Sequence, residues 1–174
     1  MVLELFDLAN KVVCITGGGR GLGRGMAMAL ADAGAQVMVA SRTQNQLDNV
    51  VDEIKSAGGT AESFSFDATD SEQVDRLVAA CIEKFGRLDV MFANAGIGGG
   101  TALELCNVNL YGVKRVCDSF IPLLQDGGRV INVSSGSAPM FVNSLPTDQQ
   151  AFWDTGTDAT WEQLDARIQE KVYR

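Results

Sequence analysis

The chain contains no histidine. That absence removes the general base of Ser-His-Asp and Cys-His sites and the commonest metal ligand. The four cysteines, Cys14, Cys81, Cys106 and Cys117, form no C-x-x-C pair, which argues against a zinc site. Scattered thiols suit a reducing compartment, so a cytoplasmic location is expected. No apolar run reaches the roughly 20 residues that a membrane span needs. Residues Met1–Asn10 carry Glu4 and Asp7 and no basic stretch, so they do not read as a signal peptide. Basic side chains are in the minority, with 14 Lys and Arg against 22 Asp and Glu and a net charge of −8. Such a surface is a poor general partner for nucleic acid or an anionic bilayer. Neither low-complexity segments nor fixed-period repeats are present.

What is present is glycine, 19 residues of it, in a chain of 174 that is 46% hydrophobic. This length suits a single core, and excess glycine suggests backbone that wraps a ligand closely. Lys11–Thr16 and Gln36–Ala40 read as short buried strands, Ala61–Phe66 alternates like a third, and Leu88–Ala93 and Arg129–Val133 read as the fourth and fifth. Between them lie helical patterns. Leu22, Met26, Leu30 and Ala33 share one spacing; Leu47, Val50, Val51 and Ile54 follow a possible Thr43/Gln46 capping box. A helix start at Thr69-Asp70 precedes Val74, Leu77, Val78, Cys81, Ile82 and Phe85. Leu105–Leu124 is expected to be helical, with Val113, Val116, Phe120 and Leu123 on one face. Apolar strands alternating with helices imply a parallel sheet covered on both sides. Residues 137–159 hold two of the 3 prolines and no clear strand. Thr160/Gln163 then forms a second capping box before Trp161, Leu164, Ile168 and Val172.

The strongest local signal is Thr16-Gly17-Gly18-Gly19-Arg20-Gly21-Leu22-Gly23, which leaves the first strand and opens the first helix. Glycines there let backbone approach a pyrophosphate, and the helix N-terminus offers free N–H groups. This T-G-x-x-x-G-x-G spacing resembles that of the short-chain dehydrogenase/reductase family. Three more motifs carry the resemblance: Asn94-Ala95-Gly96, Asn107-Val108-Asn109-Leu110-Tyr111-Gly112 and Val130-Ile131-Asn132-Val133-Ser134-Ser135. It implies a Rossmann-type doubly wound α/β fold of about five parallel strands in the order 3-2-1-4-5, incomplete on its C-terminal side. It also implies an NADP-binding domain over 1–136 and a helical insertion over 137–174.

An acid near the end of the second strand would favour NAD by binding the ribose 2′-hydroxyl. Here the sequence reads Ala40-Ser41-Arg42. Arg42, Arg20 and Ser41 can instead meet a 2′-phosphate, so NADP(H) is the expected cofactor. The resemblance adds Asp67 with Ala68 at the adenine, and Asn94, Ala95 and Gly96 beside the cofactor. Asn94 is expected to organise backbone near the fourth strand.

The same resemblance makes Asn109 and Ser135 catalytic residues of a carbonyl reduction and implies a small carbonyl or alcohol substrate. The family's Y-x-x-x-K motif is absent. Tyr111 is followed four residues on by Arg115, and Tyr173 only by Arg174. The segment after Ser135 is similar to the insertion of monomeric carbonyl reductases, with short helices at 145–152 and 160–164. The chain then ends inside the insertion, Tyr173 is a surface residue, and a monomer is implied. The link from Gly96 to Asn109 is also short for the family. An active reductase, a non-catalytic dinucleotide-binding remnant or truncated gene product, and another Rossmann-like enzyme such as a methyltransferase remain the alternatives. The motifs at Asn94 and Ser135 weigh against the last.

Overall fold

The computed structural model describes residues 7–147, 150 and 160–172, without the side chains of residues 138, 141, 167, 171 and 172. Two compact units can be told apart: Met1–Gly100 with Glu104–Val133, and Thr101–Leu103 with Ser134–Arg174. The first contains a parallel sheet of β1 (Val12–Thr16), β2 (Gln36–Ser41), β3 (Thr60–Ser65), β4 (Val90–Ala93) and β5 (Arg129–Asn132). Its order is β3-β2-β1-β4-β5, the doubly wound arrangement that the family resemblance implies. Helices α1 (Gly21–Asp32), α2 (Gln44–Ser56) and α3 (Ser71–Phe85) connect successive strands.

Strand periodicity divides the core. In β1, Val12 and Cys14 face one layer while Val13 and Ile15 face the other; in β2, Met38 and Ala40 oppose Val37 and Val39. The first layer is closed by Leu77, Val78 and Cys81 of α3 with Val116 and Phe120 of a later helix. The second is closed by Ala27 and Ala31 of α1 and by Leu47, Val50, Val51 and Ile54 of α2.

Helix α1 corrects one expectation. Its buried stripe is Gly23, Ala27 and Ala31, with Met26 and Leu30 only partly covered. Leu22 is 75% exposed. Small residues let α1 lie close to the sheet, so the bulkier side chains are displaced from the contact. The capping box at α2 does not form. Thr43 is the N-cap but makes no side-chain capping bond. At α3, Asp70 is the cap and accepts from the Gln73 N–H at 3.2 Å.

The helix expected over Leu105–Leu124 is three kinds of helix in series. After α4 (Ala102–Cys106) comes a π-helical segment, Asn107–Gly112, then α5 (Val113–Phe120) and a 3₁₀ turn, Ile121–Leu123. The tightened turn takes Leu123 off the buried face, and it is exposed. The second unit contains α6 (Ser137–Ser144) and α7 (Trp161–Val172). Thr160 caps α7 reciprocally: its N–H donates to Gln163 Oε1 at 2.9 Å and its hydroxyl accepts from the Gln163 N–H at 3.3 Å. Helix α6 was not expected. Of the anticipated 145–152 helix, residues 148, 149, 151 and 152 lie outside the described residues, as does Tyr173.

At the N-terminal ends of the strands, buried Asp89 fastens the sheet. Its carboxylate accepts from the Val12 N–H at 2.9 Å and from Arg87 through Nε at 2.8 Å and Nη2 at 2.7 Å. Its own N–H donates to the Val12 carbonyl, and its carbonyl accepts from the Arg129 N–H, both at 2.9 Å. Burial acts to raise the Asp89 carboxyl, but the Arg87 fork, the Val12 N–H and the charges of Arg87 and Lys11 outweigh it and hold it below its usual range. A carboxyl depressed in the folded state stabilises fully above its unfolded value of about 3.9 and loses that contribution as pH falls through the folded value. Asp89→Ala should therefore cost about 1–3 kcal/mol, because a buried N–H loses its acceptor. The urea midpoint should fall, and the variant should lose less stability than the parent between about pH 5 and pH 3. An unchanged midpoint would contradict this role.

Candidate functional site

The chain leaves β1 through Gly17, whose φ of +69° favours glycine. A Cβ there would lie 2.9 Å from Asn94 Nδ2 and 3.0 Å from the Ala95 Cα. At Gly23 a Cβ would meet the Gly17 carbonyl oxygen at 2.1 Å. The first turn of α1 thus lies flat on the loop that precedes it. A Cβ at Gly19 would come within 3.0 Å of Ser41 Oγ and 3.1 Å of Gln46 Cβ. The N-cap of α1 is Arg20 in extended conformation, with no side-chain cap and no acid in the first turn. Among the described residues, no side chain therefore caps the positive end of the α1 dipole.

Two polar residues join the strand ends. Thr16 is 1% exposed. Its hydroxyl donates to the Phe92 carbonyl at 3.2 Å and accepts from the N–H groups of Asn94 and Ala95, each at 3.0 Å. Asn94 Nδ2 donates back to the Thr16 carbonyl at 2.9 Å. Thr16, named from its motif as a cofactor-binding residue, is not on the pocket surface. Its hydrogen-bonding capacity is used in fixing the β1 and β4 ends.

Those ends open into a pocket of about 450 Å³. It brings together Gly17, Gly19, Arg20, Gly21, Leu22 and Gly23 from the loop with Ser41 and Arg42 after β2. Asp67 and Ala68 come from the turn after β3, and Asn94, Ala95 and Gly96 from the turn after β4. The Asp67 loop is held by its own contacts. Its Oδ1 accepts from the Thr69 N–H at 2.9 Å and hydroxyl at 2.8 Å, and its N–H donates to Gln73 Oε1 at 3.0 Å. Among the described residues neither Arg20 nor Arg42 forms an ion pair. Two uncommitted guanidinium groups line one cavity in a chain of net charge −8.

The lining includes Thr43, Gln46, Phe66, Ile97 and Val108, which the motifs did not single out. Gln46 had been assigned to a capping box, and its side chain instead lies against Gly19.

Asn109 does not line the pocket. It holds the lining in place: Oδ1 accepts from the Ile97 N–H and Nδ2 donates to the Ile97 carbonyl, both at 2.9 Å. This two-point clasp closes the short connection after Gly96. Ser135 belongs to the second unit, where its Oγ lies 2.8 Å from Ser137 Oγ and accepts from the Ser137 N–H at 3.2 Å. No cluster of metal-ligating side chains occurs among the described residues, nor any helix long and apolar enough to cross a membrane.

A family model described as short chain dehydrogenase matches residues 11–147. An uncharacterized oxidoreductase of Mycobacterium tuberculosis is 37% identical over 152 residues, covering 78% of this chain and 56% of that protein. The 3-oxoacyl-(acyl-carrier-protein) reductase of Thermotoga maritima is 32% identical over 139 residues, covering 74% and 56%. The chain thus spans about half the length of these curated relatives. Among solved structures, a short-chain type dehydrogenase/reductase from Mycobacterium marinum matches with a TM-score of 0.75 at 33% identity, over 80% of this chain and 61% of that one. A metagenomic short-chain oxidoreductase in complex with NADP matches with a TM-score of 0.69 at 33% identity, covering 74% and 64%. A 7α-hydroxysteroid dehydrogenase complexed with NADH matches with a TM-score of 0.74 at 27% identity, covering 79% and 59%.

Two glycines in α1 make a controlled pair. Gly23→Ala drives a methyl into the Gly17 carbonyl and should cost about 1–3 kcal/mol. Gly25→Ala, where a Cβ meets nothing within 4 Å, should stabilise the helix by about 0.5–1 kcal/mol. Thermal melts of the two variants check both signs; equal shifts would refute the close approach.

Proposed function

This chain belongs to the short-chain dehydrogenase family, and from that premise we propose that it is the cofactor-binding part of an NADP(H)-dependent oxidoreductase that interconverts a carbonyl and an alcohol. The observation that carries the cofactor choice is the end of β2. Ser41 and Arg42 stand where an NAD site would place an acid, and Arg20 shares the pocket. Family relatives with NADP and with NADH bound both exist among the structural matches, so local charge must decide.

The residues fit such a ligand. Gly17, Gly19 and Gly23 leave a cradle that Cβ atoms would fill, and the uncapped start of α1 can face a pyrophosphate. We assign the 2′-phosphate to Arg20, Arg42 and Ser41, and the adenine to Asp67 and Ala68. Asn94, Ala95 and Gly96 form the opposing wall. Bound there, the nicotinamide would supply or accept hydride. Ser135 is assigned to the substrate carbonyl, and Asn109 acts by fixing Ile97. We place the binding function in residues 1–136 and assign 137–174 to the insertion-like segment. The small-molecule substrate is a carbonyl compound or its alcohol.

The 174-residue chain has no Y-x-x-x-K motif to supply a proton at the substrate oxygen. It should quench or shift NADPH fluorescence with weak affinity, yet consume little or no NADPH with a panel of aldehydes and ketones. Brisk turnover would show that another group moves the proton. Replacing Arg20 and Arg42 together by Ala should weaken NADPH about tenfold or more while changing NADH less. Gln46→Glu, which brings a carboxylate beside Gly19 and Ser41, should lower the NADPH-to-NADH affinity ratio. Equal effects on the two nucleotides would overturn the phosphate assignment, and no response to NADPH at millimolar levels would overturn cofactor binding itself.

A further inference from the structure

We propose that Arg115 is a positioning residue that sets the spacing between two walls of the adenine pocket, an inference that rests on the NADP(H) reading above. Arg115 is half-buried on α5 and its guanidinium reaches three oxygens. Nη2 donates to Asn107 Oδ1 at 2.9 Å, and Nη1 is shared between the Asn107 carbonyl at 3.2 Å and the Ala68 carbonyl at 3.4 Å. The two residues so joined belong to different parts of the chain. Ala68 lines the pocket directly, beside Asp67. Asn107 opens the π-helical segment and immediately precedes Val108, which also lines the pocket.

The surrounding packing makes this tie effective. A Cβ on Gly112 would meet the Ala68 Cβ and carbonyl oxygen at 3.3 Å and the Asn107 carbonyl oxygen at 3.4 Å. The π-helical segment is therefore flush against Ala68, with no side chain of its own between them. A π turn interrupts the regular i to i−4 ladder, and here Arg115 supplies a donor to the Asn107 carbonyl. The same segment ends its clasp at Ile97 through Asn109. One planar fork thus links the Asp67-Ala68 turn to the segment that bears Val108 and Asn109. A lysine has one flexible ammonium and cannot reproduce that geometry.

A purely structural arginine would affect all ligands alike. A residue that sets the adenine wall should change the choice of base. The test compares binding of NADPH with that of its hypoxanthine analogue, which lacks the 6-amino group, a donor that the carboxylate of Asp67 in the adenine site could accept from. The parent chain should prefer NADPH about tenfold. Arg115→Met, folded by circular dichroism, should lower that preference to threefold or less, and Arg115→Lys should fall between them. A Met variant that keeps the parental ratio overturns the inference, even if both affinities or the melting temperature decline. A parental ratio near one overturns it as well. Failure of the parent to bind either nucleotide is a different result, because it removes the cofactor reading on which the inference stands.

Discussion

The hydroxyl of Thr16 is the fastening on which the pocket depends. It bonds the Phe92 carbonyl and the N–H groups of Asn94 and Ala95, tying the carboxyl ends of β1 and β4. These are the strands from which the chain order runs outward in opposite directions, to β2 on one side and β5 on the other. Loops that follow them diverge, and a crevice is left where ligands of open α/β sheets are found. A hydrophobic side chain in place of Thr16 could fill the same volume but would take away the acceptor of the part-buried Ala95 N–H and one of the two acceptors of the Asn94 N–H, which also bonds the Phe92 carbonyl at 3.1 Å. That atom pins the start of the wall formed by Asn94, Ala95 and Gly96, and Asn94 in turn holds the glycine loop.

Much of this was legible in the chain. The central strands β1 and β2 announced themselves as β-branched and apolar runs, because a parallel strand buried on both faces has few other compositions available, whereas the less covered β3 showed only as an alternating run. The glycine loop was legible because steric demand at Gly17, Gly19 and Gly23 leaves only one residue type. Asp70 as a helix cap followed from the same local logic.

What escaped sequence reading has equally definite causes. The Thr43/Gln46 pair matched a capping pattern, but Gln46 serves a tertiary contact with Gly19, which local spacing does not encode. The π-helical segment was invisible because one extra residue in a turn leaves the later apolar positions Val113, Val116 and Phe120 at ordinary spacing. Leu22 shares the helical spacing of Met26 and Leu30, whereas the packed stripe uses the small residues Gly23, Ala27 and Ala31. Helix α6 was missed because Pro139 reads as a breaker. It sits in the first turn of that helix, where a missing N–H breaks no hydrogen bond. Arg115 drew notice only as a residue that is not lysine, since its three acceptors come from distant segments.

The sheet has opposite polar fixtures at its two ends. Thr16 and Asn94 stand at the carboxyl ends, and Asp89 with Arg87 at the amino ends. They lie at opposite ends of β1 and β4 and share no hydrogen bond. Energetic contributions from separated, unconnected groups combine nearly independently. Robustness and ligand recognition can therefore drift under separate selection in this scaffold: the amino-end carboxylate can be retuned for an acidic or a hot environment while the opposite rim keeps its chemistry.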